Sequence, residues 1–264
     1  MRPGGAALYA AVTAHRLGLA AAILTSHAAD FPIEAIPPQI EVVSLPAPET
    51  TVFEHDVEHG RRRLRVLGAA GPLTTDDVPD DWHDAAIVLL APVLSEVDPR
   101  LAAVFGAASV GVEAQGWLRS VGADGAVAGY AWRPPAFLLP LVQALFVSAQ
   151  DVRGQEAQML EWMQRVPLGV ITGGAAGALL YVNAERYEIR PRPVGAEADA
   201  TGAGDVFAAT FLVHYHRGGD PWEAAEAAAC AASLAVEGEG WTTVPDAAAL
   251  DAALTGYRAG SGLD

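Results

Sequence analysis

"EADATGAGDVFAATFLVHY", residues 197–215, places two aspartates around a turn with almost no side chains, then runs directly into an apolar helical pattern. The first N–H groups of a helix have no intrahelical partner and carry partial positive charge, so a helix start is an anion site. Gly202, Ala203 and Gly204 leave nothing in the way of a phosphate that approaches the backbone. Asp205 then falls in the first helical turn, where a carboxylate can take a hydroxyl proton as a phosphate leaves its donor. An acidic residue at that place is also ordinary helix capping. The phosphate reading therefore depends on what other segments the chain brings to this turn.

Two upstream segments have the same texture, an apolar run that ends in small or polar residues. "FVSAQDV" carries Ser148 and Asp151, and "VITGGAAG" carries Thr172, Gly173, Gly174 and Gly177. In open α/β sheets, ligands sit on loops beyond the carboxyl ends of strands, so this order and spacing predict three loops on one sheet edge.

Composition narrows the chemistry. Among 264 residues the formal net charge is −16, which disfavours a nucleic-acid partner. All 16 basic residues are arginine, and the absence of lysine excludes a Walker A loop, a protein-kinase site and Schiff-base catalysis. Any phosphate must be held by backbone, arginine or a bound cation. No apolar run reaches membrane-spanning length, and the start "MRPGGAALYA" lacks the shape of a signal peptide, so a soluble cytoplasmic protein with no membrane partner is expected. Cys230 has no partner for a disulfide and reads as a small apolar side chain on an Ala-rich helix. His55 with His59, and His214 with His216, lack zinc-site companions and read as no metal site. Trp82, Trp117, Trp132 and Trp162 are scattered along the chain and read as packing.

Periodicity predicts a helix over 4–18, a strand over 20–26, and short β segments at 40–46, 50–57 and 61–69. The last two face each other across "EHG", which predicts a hairpin with Arg61, Arg63 and Arg65 on one face. That face reads as a charged edge or as a flap that meets an anion. From residue 85, continuous apolar runs alternate with helical stretches near 95–105 and 150–165, the pattern of parallel strands covered on both faces. A hairpin turning at Asn183 is predicted over 178–189, and helices over 202–217, 221–237 and 246–257. The sum is one α/β domain over 1–264, with a small β appendage near 40–70.

With these residues in view, "DATGAGDVFAATFL" resembles the C-terminal signature of the ribokinase-like (PfkB) carbohydrate kinases. The resemblance covers most of the chain. It implies a three-layer α/β/α sandwich with a small β lid, and transfer of the γ-phosphate of ATP, with Mg²⁺, to a hydroxyl of a sugar, nucleoside or related polyol. It implies Asp205 as catalytic base, Gly202, Ala203 and Gly204 as anion hole, and Thr172, Gly174 and Gly177 beside the nucleotide. Ser148 and Asp151 stand where the family has N-x-x-E, which organises Mg²⁺ through water; here both residue types differ. Asp199 and Thr201 match positions that bind a monovalent cation such as K⁺ in some members. "ACAASLAVEGEG" resembles the wall of the adenine pocket. "RPGGAALYAA" resembles the acceptor-binding G-G-x-x-x-N motif, with Gly4 and Gly5 matching and Tyr9 in place of asparagine. "GVEAQGWLR" resembles a segment of inositol-type kinases, making Glu113, Gln115 and Arg119 polar candidates near acceptor or nucleotide.

Family members begin with a strand before the Gly-Gly motif, and here Gly4 follows Met1 almost directly. A natural start upstream of this sequence is therefore expected, with the first strand missing. Two functions stay open: a sugar or cyclitol kinase (or, by acceptor, a nucleoside kinase), and a degenerate or truncated relative that binds without turnover. A homodimer through the β lid is a further implication of the resemblance.

Overall fold

The computed structural model describes the backbone of residues 2–58 and 61–261, and side chains in those spans other than 56–58, 61–62 and 261. The chain opens with helix α1 (Ala6–Arg16), followed by β1 (Ala22–His27) and β2 (Glu41–Pro46), which pair in parallel. Strands β3 (Val52–Glu58) and β4 (Arg61–Gly68) form the expected antiparallel hairpin. Its turn at residues 59 and 60, the His59 half of the histidine pair and the Arg61 side chain lie outside the described residues, as do the last three residues of the tail.

The main sheet is built from β5 (Ile87–Leu90), β6 (Ser109–Glu113), β9 (Ala144–Ser148), β10 (Leu168–Thr172), β11 (Ala178–Val182) and β12 (Glu185–Ile189). Between β6 and β9 the short strands β7 (Arg119–Val121) and β8 (Val127–Gly129) form a second small hairpin. Strand order is β12-β11-β10-β9-β6-β5, with β5, β6, β9 and β10 parallel and the β10-β11-β12 meander antiparallel. The meander turns on Asn183 and Ala184, both with positive φ (49° and 71°), the geometry that matches hairpin twist.

Helices cover both faces. On one side lie α3 (Ala203–Gly218) and α4 (Pro221–Ala235), flanked by α1 and by α5 (Ala247–Ser261). The alanines of α4 bring it close to α3, and both bury against Phe146, Val170 and Leu180 of the sheet. Gly111 permits the same closeness between β6 and α3: a Cβ there would stand 2.5 Å from Leu212 Cδ1. On the other side lie α2 (Glu156–Met163) and irregular chain. The tryptophans that are dispersed in sequence converge here. Trp117 stacks on Trp132 with ring centroids 5.0 Å apart, and Trp162 meets Trp132 edge-on at 5.2 Å. The helix expected at 95–105 is a single 3₁₀ stretch, Pro99–Ala103, capped by Asp98.

The small β layer differs in composition from the segment 40–70. Glu41–Pro46 leaves it to pair with β1, and the β7–β8 hairpin joins it through an Arg65–Ala126 bridge and the Val66 N–H to Gly125 carbonyl bond (2.8 Å). No helix among the described residues is long and apolar enough to cross a membrane.

Candidate active site

The carboxyl ends of β6, β9 and β10 and the start of α3 open onto one cleft of about 2740 Å³. All the site residues singled out in the sequence line it, from Gly4 and Gly5 just before α1 and Tyr9 on it to Asp205 on α3. Thr172 and Ser148 are register partners on adjacent parallel strands, so the two upstream loops leave the sheet side by side.

The turn before α3 works through glycine. Gly202 has φ of +81°, and a Cβ there would lie 2.3 Å from Tyr9 Cδ1. The Tyr9 ring fills the space a side chain would need, so the ring and the turn fix each other. Tyr9 is only 2% exposed, which makes it a wall of the site. Its hydroxyl is pushed up to about 12 by burial and by the nearby charges of Asp199 and Asp205. In the first turn, the Ala203 N–H donates to the Ala200 carbonyl (3.3 Å) and the Val206 N–H to the Gly202 carbonyl (2.9 Å). Among the described residues the N–H groups of Gly202, Gly204 and Asp205 have no acceptor, and all three residues line the cleft.

The two aspartates separate cleanly. Asp199 Oδ1 accepts from the Thr201 N–H (2.9 Å), and Oδ2 accepts from Arg2 (3.0 Å) and, weakly, from the Gly240 N–H (3.4 Å). Arg2 also pairs with Glu239 at 2.8 Å. These bonds hold the loop and bring a guanidinium to the position where the resemblance implied a monovalent cation. Nothing in the sequence flagged Arg2.

Asp205 has a different neighbour, Glu113, the last residue of β6. The carboxyls lie within hydrogen-bond reach of each other, and burial with mutual repulsion raises Glu113 well above the usual carboxylate range. Burial likewise raises Asp205 to about 6, opposed by its bond to Glu113 and by the charge of Arg119. A signal for Glu113 was present: a charged residue closing the buried run Val110, Gly111, Val112.

Arg119 begins β7, donates to the Val93 carbonyl (2.9 Å) and sits 5.6 Å above the Phe53 ring of the lid. It spans the lid and the loop after β5, and the charges of Asp151 and Asp205 act on it. Gln115 also lines the cleft, and its amide donates to Asp151 Oδ2 at 3.2 Å. Ser148 Oγ accepts from the Gln150 N–H (3.1 Å), shaping the loop that presents Asp151. In the second loop, Gly177 (φ +85°) donates its N–H to the Gly174 carbonyl (2.9 Å) and closes the turn after Thr172. Among the described residues no cluster of three or more His, Cys, Asp or Glu could hold a metal ion by itself.

A small-residue helix start and two flanking strand-end loops opening onto one cleft define an α/β fold of the ribokinase type. Residues 138–247 match the family model described as pfkB family carbohydrate kinase. Residues 138–247 are thus similar to that family, whose members are phosphotransferases with hydroxyl acceptors, and the chain as a whole has the ribokinase-like fold. A nucleoside kinase of Methanocaldococcus jannaschii is 34% identical over 83 residues, a stretch that spans 31% of this chain and 28% of that protein. A pyrophosphate-dependent myo-inositol-1 kinase converted into a myo-inositol-3 kinase superposes with a TM-score of 0.79 at 20% identity, over 97% of this chain and 91% of that one. Arabidopsis thaliana ribokinase complexed with ribose and ATP superposes with a TM-score of 0.73 at 20% identity, over 95% and 87%.

Proposed function

We propose that this chain is an ATP-dependent small-molecule kinase that moves the γ-phosphate to a hydroxyl of a sugar or cyclitol. The observation that carries the reading is Asp205, held in the first turn of α3 behind the bare 202–204 turn and facing the same cleft as the β9 and β10 loops. In this reading the acceptor hydroxyl approaches Asp205, whose carboxylate takes its proton as the oxygen attacks phosphorus. The Gly204 and Asp205 N–H groups hold the oxygens of the transferring group, and Arg119 offsets the charge that gathers there.

Asp151 fits a water-mediated Mg²⁺ site. One carboxylate oxygen is held by Gln115, so the other would be the one to hold a hydrated ion. When bound, the ion neutralises charge on the donor phosphates. Thr172, Gly174 and Gly177 line the donor side. A homodimer through the lid belongs to the same proposal and is checked by sedimentation.

A coupled assay of ADP release over sugars, cyclitols and nucleosides tests the acceptor class. Nucleosides belong in the panel because the curated relative is a nucleoside kinase. Pyrophosphate belongs beside ATP as donor because a structural neighbour uses it. ATP binding without turnover on any acceptor would favour a degenerate binding protein instead. Asp205→Asn should lower kcat by at least ~10²-fold while ATP affinity changes little. A near-normal kcat would remove Asp205 from the role of base.

A further inference from the structure

We propose that Glu113 is the proton-sharing partner of Asp205, a protonated carboxyl that donates a hydrogen bond to the Asp205 carboxylate and aims it at the acceptor hydroxyl. The inference rests on the reading of Asp205 as base and assigns a positioning residue to that site.

The geometry leaves Glu113 few alternatives. It ends a buried strand and is 7% exposed. Its Oε1 lies 4.0 Å from where a Cβ on Gly204 would stand, directly beside the first turn of α3. Its Oε2 is buried with no N–H or O–H donor among the described residues. A buried anion with an unsatisfied oxygen is costly, whereas a carboxylic acid needs only an acceptor for its proton. The carboxyl of Asp205 supplies that acceptor. Two carboxyls in such contact do not both ionise at neutral pH, so the pair holds one proton.

The surrounding charges decide which group keeps it. Arg119 on β7 acts on Asp205 and favours its anion. Tyr9 on α1 is neutral and senses Asp199, Asp205 and Arg2, while Asp151 after β9 and Glu96 act on Arg119. The proton therefore rests on Glu113, and the single negative charge of the pair on Asp205. In the reaction the acceptor O–H bond breaks and its proton passes to Asp205, while its oxygen bonds to the γ-phosphorus as the bond from that phosphorus to the bridging oxygen breaks and ADP leaves with the electron pair. The pair then carries two protons and no charge beside the departing phosphates, until solvent takes one back.

The test compares two variants by the pH dependence of kcat/KM. Glu113→Gln keeps a neutral N–H donor, so the acid limb set by Asp205 should stay in place. The alkaline decline from ionisation of Glu113 should disappear. Glu113→Ala removes the donor, so the acid limb should move up and the rate at neutral pH should fall about tenfold or more. An acid limb that moves down in Glu113→Gln would mean that an anion had been removed, and would overturn the proposal. A second readout needs no turnover. Infrared absorption at neutral pH should show a protonated carboxylic acid that Glu113→Gln lacks; no such difference would also overturn it. If Asp205→Asn kept its kcat while the infrared band persisted, the base assignment would fail and the protonation of the pair would stand.

Discussion

Strands β5 and β10 are nearly equal in sequence character, "IVLL" and "LGVIT", yet their surroundings are opposite. Four of the five residues of β10 are buried between α2 on one face and α3 and α4 on the other. Of β5 only Leu90 is buried; it forms the edge of the main sheet, and Ile87 to Leu90 line the cleft along with Ala22 to Ser26 of β1. The molecule thus has a closed half, which carries the 202–204 turn and the loops after β9 and β10, and an open half made of α1, the β1–β2 pair and the lid. A site that must hold one ligand rigidly and admit another suits this division. Continuous apolar strands stabilise a fold only where neighbours cover them, so the closed half is the stiff platform.

The contrast can be broken hardest at the contact where the halves meet. Gly202→Ala forces a side chain into a left-handed conformation and against the Tyr9 ring. It should cost about 2–4 kcal/mol in urea unfolding and reduce turnover together with stability. A variant with native stability would show that the ring and the turn do not constrain each other.

A subtler probe is the stability of Asp205→Asn against pH. Asp205 is raised in the folded state to about 6, above the range of an unfolded aspartate. Its contribution to stability is therefore fully present below the unfolded value and is lost as pH rises through about 6. Removing the charge should make the protein more stable at neutral pH, by about 1–2 kcal/mol, and leave it unchanged in acid. Denaturation midpoints at acid and neutral pH check the sign; a variant that is less stable at neutral pH contradicts it. The smallest effect is expected at Arg2. Its pairs with Asp199 and Glu239 sit partly in solvent, so Arg2→Ala should cost no more than ~1 kcal/mol. The clearer readout is a higher KM for ATP as the 199–201 loop loosens, and an unchanged KM would show that the loop holds without it.

Much of the closed half is legible in the sequence. The run from Gly202 to Arg217 states its own helix, because its small residues, acidic first turn and apolar face are all local signals. The hairpin at Asn183 was equally local, since turn chemistry selects the backbone conformation. The lid was only half legible: Arg65 and Ala126 meet across 61 positions of sequence, and no local pattern announces such a pairing. The same holds for the bond from Gln115 to Asp151, which joins residues 36 positions apart.

What the sequence alone determined is the local make-up of one turn. Small residues, a helix start and an aspartate have to adjoin along the chain, and the absence of lysine removes the common alternatives. What only the tertiary structure decided is the setting of that aspartate: Glu113 against it, Arg119 across from it, Tyr9 under the turn and Arg2 on the other carboxylate. Protonation and charge depend on distance in space and on burial. Neither is written in residue order, because each comes from the packing of strands and helices far apart in the chain.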